Sequence, residues 1–453
     1  MRGVAALIIR AHGVGGASDL PLSLTNVVVG AGWALTISFV VLAFAWTTSR
    51  LLGDLAGRPV PRLVDRLVSS SVTRWLLRLA ALGFTGYVAW PALFADDLAV
   101  NPALGVFYVY LWVGMAACSL LLGDVWPVLS PLRTVHLALS RLAGSTPQTG
   151  LFLYPHRLGY WPAALGLFAF VWSELVNPDA AFVSTVVTWV LLYTGAMLLG
   201  AAMFGDRWFE HADPFEVYFS LVARLSPWGR IRDTGAARDG RLALRNPLDN
   251  LDTTPVRPGL VPVLAVLLGS TAFDSFSMSN YWIAQTAEGG GALDAVLRDT
   301  LVLGGFVVLV AVTFCAAAMA TSGVTGHQRL ALPGILAHCL VPIIVGYVFA
   351  HYLTLLLEYG QQTLLQLSDP MLTGADYLGT ADLTVAYFLS TRPELLAVLK
   401  VAFIVTGHVA GVFAAHDRAV RVLPTRDAVA GQLTMLIVML VYTSGGLLLL
   451  FSS

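Results

Sequence analysis

Long apolar runs, separated by short polar stretches marked with Gly, Pro and Asn, recur along the whole chain. They predict ten membrane-crossing helices at about 26–47, 76–95, 105–122, 158–175, 181–204, 259–273, 300–321, 332–357, 395–415 and 430–451. The sixth run is short for a span, so the pattern predicts a tilt or a continuation past Asp274. The fold class this implies is all-α: a single integral bundle covering residues 1–453, a polytopic transmembrane helix bundle. Ahead of the first run, Val4–Ile9 is apolar over six residues, shorter than the about 7–15 of a signal-peptide core. Residues Ala11–Leu22 are Gly- and Pro-punctuated and predict a loop, and Ala287–Leu297 predicts a short surface helix.

The eighth run, Pro333–Glu358, differs from the others because it carries His338, Tyr347, His351 and Glu358. Ionisable side chains at bilayer depth are costly and mark functional sites. At about 100° per residue Tyr347, His351 and Glu358 share one stripe, with His338 pointing away. Pro342 predicts a kink within this helix.

Charge placement orients the bundle. With the N-terminus outside, 21 arginines fall in inner loops, leaving Arg2, Arg10, Arg298 and Arg392 outside. The positive-inside rule then sets both termini outside (N-out/C-out) in the cell (plasma) membrane. Composition agrees: 57% hydrophobic and 12% charged residues, with a mean hydropathy of +0.76. A net charge of −1 without a basic stripe argues against nucleic acid as a partner. Lys400, the one lysine, follows no phosphate-binding glycine loop. Cys118, Cys315 and Cys339 sit within apolar runs, spaced for neither zinc nor disulfides.

Residues 80–142 and 163–225 read as a repeat. Each unit runs AALG, a helix, VNP, a second helix, GDxW, then Ser130-Pro131 or Asp213-Pro214. This predicts a duplicated helical hairpin followed by an interfacial helix. Ser130 and Asp213 are the expected N-caps, Glu216 completes a capping box on Asp213, and Gly-Asp stops the preceding helix. Trp126 and Trp208 are expected at headgroup level. Small residues at Gly407, Gly411 and Ala415, and at Ala316 and Ala320, predict close helix packing.

The ionisable groups sort into two layers. The inner layer is His338, His408 and His416, with Asp417 and Arg418 expected in solvent. His338 and His408 could ligate a haem or simply hydrogen-bond to one another across a helix contact. The outer layer is Asp274, His351, Glu358 and Lys400, with His12 and Asp19 on the same side. Imidazole with carboxylates suits a divalent metal held by His351, Asp274, Glu358 and His12, which would activate water against a phosphorus or carbonyl ester. Asp274, His351 and Glu358 are the catalytic candidates; the same groups equally suit proton or ion transfer in a transporter, and Glu358 could pair with Lys400.

Five stretches carry a resemblance: AHGVGGASDLPL, GDVWPVLSPLRT, GSTAFDSFS, AHCLVPIIVGYVFAHYLTLLLEYGQ and GHVAGVFAAHDRAV. In this order they resemble the fenitrothion hydrolase-like family of polytopic bacterial membrane proteins, common in actinobacteria. The resemblance implies hydrolysis of an organophosphate triester, a small-molecule substrate, with release of a nitrophenol. It carries over no catalytic residues.

Overall fold

The computed structural model describes residues 16–231, 240–287, 291–321, 323–424 and 429–452. His12 and the apolar Val4–Ile9 run lie outside the described residues. Among the described residues nine helices are long and apolar enough to cross a membrane. They are α1 (Leu24–Ala45), α3 (Ser71–Phe94), α4 (Pro102–Leu122), α7 (Val183–Phe204), α9 (Leu260–Ser277), α10 (Ala292–Met319), α11 (Gly326–Gln366), α12 (Pro393–Val422) and α13 (Leu433–Leu450). The shorter helices α2 (Arg62–Ser69), α5 (Pro131–Leu142), α6 (Trp161–Leu175) and α8 (Pro214–Ala223) complete the bundle.

At 15 residues α6 falls below the length of an ordinary span. It nevertheless runs the same depth as α9. The Tyr160 N–H donates to Pro258 just before α9 begins (2.7 Å), and Glu174 at the other end of α6 borders one cavity with Asp274 of α9. Counting α6, the described residues hold ten helices of spanning character. The expected extension of the sixth span is present, because α9 continues to Ser277.

Local chemistry explains most boundaries. Asn101 Oδ1 accepts the Ala103 N–H (3.0 Å) and Asn177 Oδ1 the Asp179 N–H (3.1 Å), so both VNP landmarks form the same Asx turn. Gly123 and Gly205 end α4 and α7 at φ +88° and +64°. That left-handed geometry favours glycine, and it is the physical content of the two GDxW stops. Ser130 caps α5 through the Arg133 N–H (3.4 Å), and Asp213 caps α8 through the Phe215 N–H (2.9 Å).

Several expectations are corrected. The surface helix is Asn280–Thr286, capped by Ser279, and Ala292 already belongs to α10. An Asp294 carboxylate accepting the Gly291 N–H (3.1 Å) starts α10 well before residue 300. Helix α8 does not lie on the surface, because nearly every residue is buried. Only α5 keeps the expected surface, with Leu139 and Leu142 exposed. Glu216 does not reach back to the cap; it binds the Arg133 guanidinium through two bonds of 2.6 Å. Trp126 is buried and donates to Asp213 (3.3 Å). Ala316 and Ala320 face outward, whereas Ala317 and Ala318 pack inward.

Helix α11 is continuous but uneven. It tightens to a 3₁₀ turn at Ala337–Cys339 and widens to a π turn at Leu355–Tyr359. Pro342 lacks the N–H that would bond the His338 carbonyl, so the disturbance falls one turn ahead of the proline. Helix α11 lies against α12 so closely that a Cβ added at Gly411 would sit 2.8 Å from the Cys339 oxygen. Gly407 and Gly346 make the same backbone contact.

The arginine-bearing loops meet on one face. There β1 (Arg58–Pro59), β2 (Trp228–Ile231) and β3 (Arg241–Leu244) form a small antiparallel sheet in the order β1-β3-β2. Asp417 is not solvated; it is fully buried on this side. It accepts from Trp46 Nε1 (2.8 Å), Ser49 Oγ (2.8 Å) and the Arg50 N–H (2.6 Å), folding the 46–51 segment around the end of α12. Arg418 pairs with Asp252 (2.8 Å).

Candidate functional site

Helices α9 and α11 bring two of the expected residues together. His351 Nε2 lies 2.8 Å from Asp274 Oδ2, and both side chains are buried. The Tyr352 hydroxyl donates to the same Asp274 oxygen (2.9 Å). On the other side of the imidazole, His351 Nδ1 lies 3.3 Å from Ser275 Oγ. Ser275 in turn meets the Tyr347 hydroxyl (3.1 Å), which reaches the Gly446 carbonyl on α13 (3.4 Å). One continuous chain thus runs Asp274–His351–Ser275–Tyr347–Gly446.

That chain has two proton arrangements. With a neutral imidazole, Nε2–H donates to Asp274 and Ser275 donates to Nδ1, which leaves the one Tyr347 proton for either Ser275 or Gly446 but not both. With an imidazolium, Nδ1–H donates to Ser275, whose hydroxyl turns to Tyr347, and Tyr347 donates to Gly446. The second arrangement fills every link of the chain, and the first leaves one open.

Asp274 also borders a cavity of about 270 Å³ on the arginine-poor side. Tyr108 of α4, Glu174 of α6, Tyr359 and Gln362 of α11 and the Asn177-Pro178 turn share its wall. Glu174 is half-buried, its Oε2 is sealed from solvent with no hydrogen-bond partner among the described residues, and its charge acts on Asp274. The sequence gives little warning of this, because Glu174 sits beside the turn-rich VNPD stretch and reads as the edge of an acidic loop. Its inclusion in an otherwise apolar run was the available signal.

Glu358 lies apart from this pair. Its carboxylate accepts from the Leu389 and Ser390 N–H groups (3.0 and 2.9 Å) and from the Ser390 hydroxyl, pinning the 367–392 loop. The π turn explains the divergence from the expected stripe, since each residue of a wide turn advances by less than 100°. Lys400 is buried, with its Nζ over the Phe451 ring at 5.9 Å.

The inner histidines are separate from one another. His408 Nδ1 contacts its own helix at the Ile404 carbonyl (2.9 Å), and its Nε2 is unpartnered among the described residues. Neither ring nitrogen of His338 makes a well-formed hydrogen bond among the described residues, so the two rings are not bonded to each other. His416 bridges Gln432 (3.1 Å) and the Trp46 carbonyl (3.0 Å) and packs edge-on to Phe39, a structural arrangement.

The fit to cofactors follows from these contacts. Among the described residues no three His, Cys, Asp or Glu side chains converge to hold a metal ion. Asp274 and His351 are hydrogen-bonded to each other, and Glu358 is committed to the loop. A haem between His338 and His408 does not fit, because the α11 and α12 backbones touch at Gly346, Gly407 and Gly411.

These features define a multi-pass membrane protein with a polar site beside a cavity inside its helix bundle. Compared with known proteins, the chain matches no family model, no curated protein and no solved structure.

Proposed function

We propose that the chain is a membrane-embedded hydrolase of small apolar esters, acting at the outward cavity, with organophosphorus triesters as the class its resemblance implies. The observation that carries this reading is the Asp274 carboxylate, which borders the cavity while holding His351 and Tyr352. A water entering the cavity meets the Asp274 carboxylate, which His351 and Tyr352 position to take its proton as its oxygen attacks phosphorus. The P–O bond to the aryl group breaks, and the proton passes to the departing aryloxide. The Ser275–Tyr347 chain holds the ring in place through either protonation state.

The test is nitrophenol release from a nitrophenyl phosphotriester by purified protein in lipid nanodiscs. Asp274→Asn and His351→Ala are each expected to slow turnover by about 100-fold or more while still inserting. Turnover like that of the unmodified protein in both variants removes this site from consideration.

A second reading, proton- or cation-coupled solute transport, is favoured by Glu174. Two carboxylates sharing an apolar cavity hold a proton or a cation between them more readily than two negative charges. Uptake driven by a pH gradient in proteoliposomes, abolished by Glu174→Gln and unaccompanied by ester cleavage, would establish it over hydrolysis.

A further inference from the structure

On the opposite, arginine-rich face, a second cavity of about 510 Å³ lies between α3, α5 and the turn that follows α5. Arg78, Arg133 and Arg141 all line it. Arg133 is neutralised by Glu216 (2.6 Å) and faces Asp206 at 3.6 Å. Asp206 is itself engaged by Gln148 (3.1 Å) and approached by His136 (4.0 Å).

Among the described residues no carboxylate lies within ion-pair distance of Arg78 or Arg141, and their guanidinium groups lie over the same Trp75 ring, at 5.6 and 5.2 Å. Arg78 Nε is sealed from solvent without a hydrogen-bond partner among the described residues. Three arginines, Arg74, Arg133 and Arg141, and one acid, Asp206, act on the Arg78 charge. Arg78, Arg133 and Arg141 against Glu216 and Asp206 leave this polar pocket with a net positive charge, which calls for an anion with several acceptor oxygens.

The surroundings specify where that anion comes from. Leu76 and Leu79 on α3 and Leu139 and Leu142 on α5 are exposed by 64%, 56%, 53% and 86% beside the cavity. Trp75 lies in the first turns of α3, a position that suits an indole at the membrane–water boundary. A headgroup seated on the arginines would therefore lay its acyl chains along these leucines.

We propose that this cavity binds the phosphate of an anionic phospholipid, with Arg78 and Arg141 as its cationic contacts. The chemistry is shared with free phosphate, so the experiment separates the two. Detergent-purified protein is titrated with phosphatidylglycerol, with phosphatidylcholine and with inorganic phosphate, and bound lipid is read by native mass spectrometry alongside thermal melting. Phosphatidylglycerol is expected to bind and raise the melting temperature, with phosphatidylcholine and millimolar phosphate having little effect.

Arg78→Gln combined with Arg141→Gln is expected to weaken phosphatidylglycerol binding by about tenfold or more. Arg141→Lys, which keeps the charge, is expected to retain most of it and shows that the region still folds. Equal phosphatidylglycerol binding by the double variant and the unmodified protein overturns the site. A melting shift produced as fully by inorganic phosphate overturns the lipid assignment.

Discussion

Gly346→Ala tests whether the α11–α12 contact is as tight as the structure makes it. A Cβ at this position would lie 2.5 Å from the Phe403 carbonyl oxygen, whereas ordinary contact begins near 3.4 Å. The obstacle is backbone, with the Phe403 carbon and the Gly407 Cα both 3.3 Å away, so no side chain can swing aside. The helices must part by about 0.9 Å, the difference between those first two distances. Overpacking of this kind costs about 1–3 kcal/mol, against about 0.5–1 kcal/mol gained by replacing a mid-helix glycine with alanine. The expected net loss is about 1–2 kcal/mol. Gly86→Ala is the control: it lies on exposed α3 with nothing within 4 Å, so only the helix-forming gain remains. Reversible unfolding in mixed micelles should separate the two variants in opposite directions. Gly346 stands five residues before His351, so parted helices should also loosen the Asp274–His351 pair. A Gly346→Ala protein as stable as the Gly86→Ala control would refute the packing argument.

Other expectations follow from single contacts. Asp417→Ala removes the acceptor of the Trp46 ring N–H and the Arg50 N–H; it should cost about 3–5 kcal/mol in a thermal melt and expose the 46–51 segment to protease. Glu358→Gln keeps one acceptor but weakens the hold on Leu389 and Ser390; the 367–392 loop should then exchange amide hydrogen faster, and unchanged exchange would argue against the pinning. The Ser368 hydroxyl (2.7 Å) and then the Thr380 N–H hold Asp376 below the ordinary carboxylate range. Because that value is depressed in the fold, this contribution is complete at neutral pH and lost only as pH falls through the depressed value. Limited proteolysis across an acid series should show this loop intact through mild acid and open only below it.

The bundle was legible because a span needs about 20 apolar residues and little else resembles one. That Asp274 and His351 share a layer was legible for a related reason: helices of known direction place each polar residue at a depth, and these two shared one. Three kinds of feature were hidden. Asp417 stands next to Arg418 at a helix end and reads as solvated, because the segment that wraps it comes from residues 46–51, far away in sequence. Glu216 carries the spacing of a capping residue, yet Arg133 from the other repeat unit outcompetes the local backbone for it. Helix α8 shows an apolar stripe like that of an interfacial helix, and only packing reveals that its remaining faces are covered too.

The cavity's position has a backbone cause that no hydrophobic pattern encodes. Two wide turns occur in the bundle among the described residues, Val106–Gly114 in α4 and Leu355–Tyr359 in α11. They pack against each other: Tyr110 of the first donates to the Gly360 carbonyl just past the second (2.6 Å). Tyr108 and Val109 from one, and Leu355 and Tyr359 from the other, line the cavity beside Glu174 and Asp274. A wide turn carries more residues per revolution than an α-helix, so side chains beyond it are rotated out of register. In α11 that rotation turns Glu358 to the outer loop and leaves His351 facing Asp274. The same irregularity that defeats a helical-wheel reading thus separates a loop anchor from a candidate catalytic pair within a single helix.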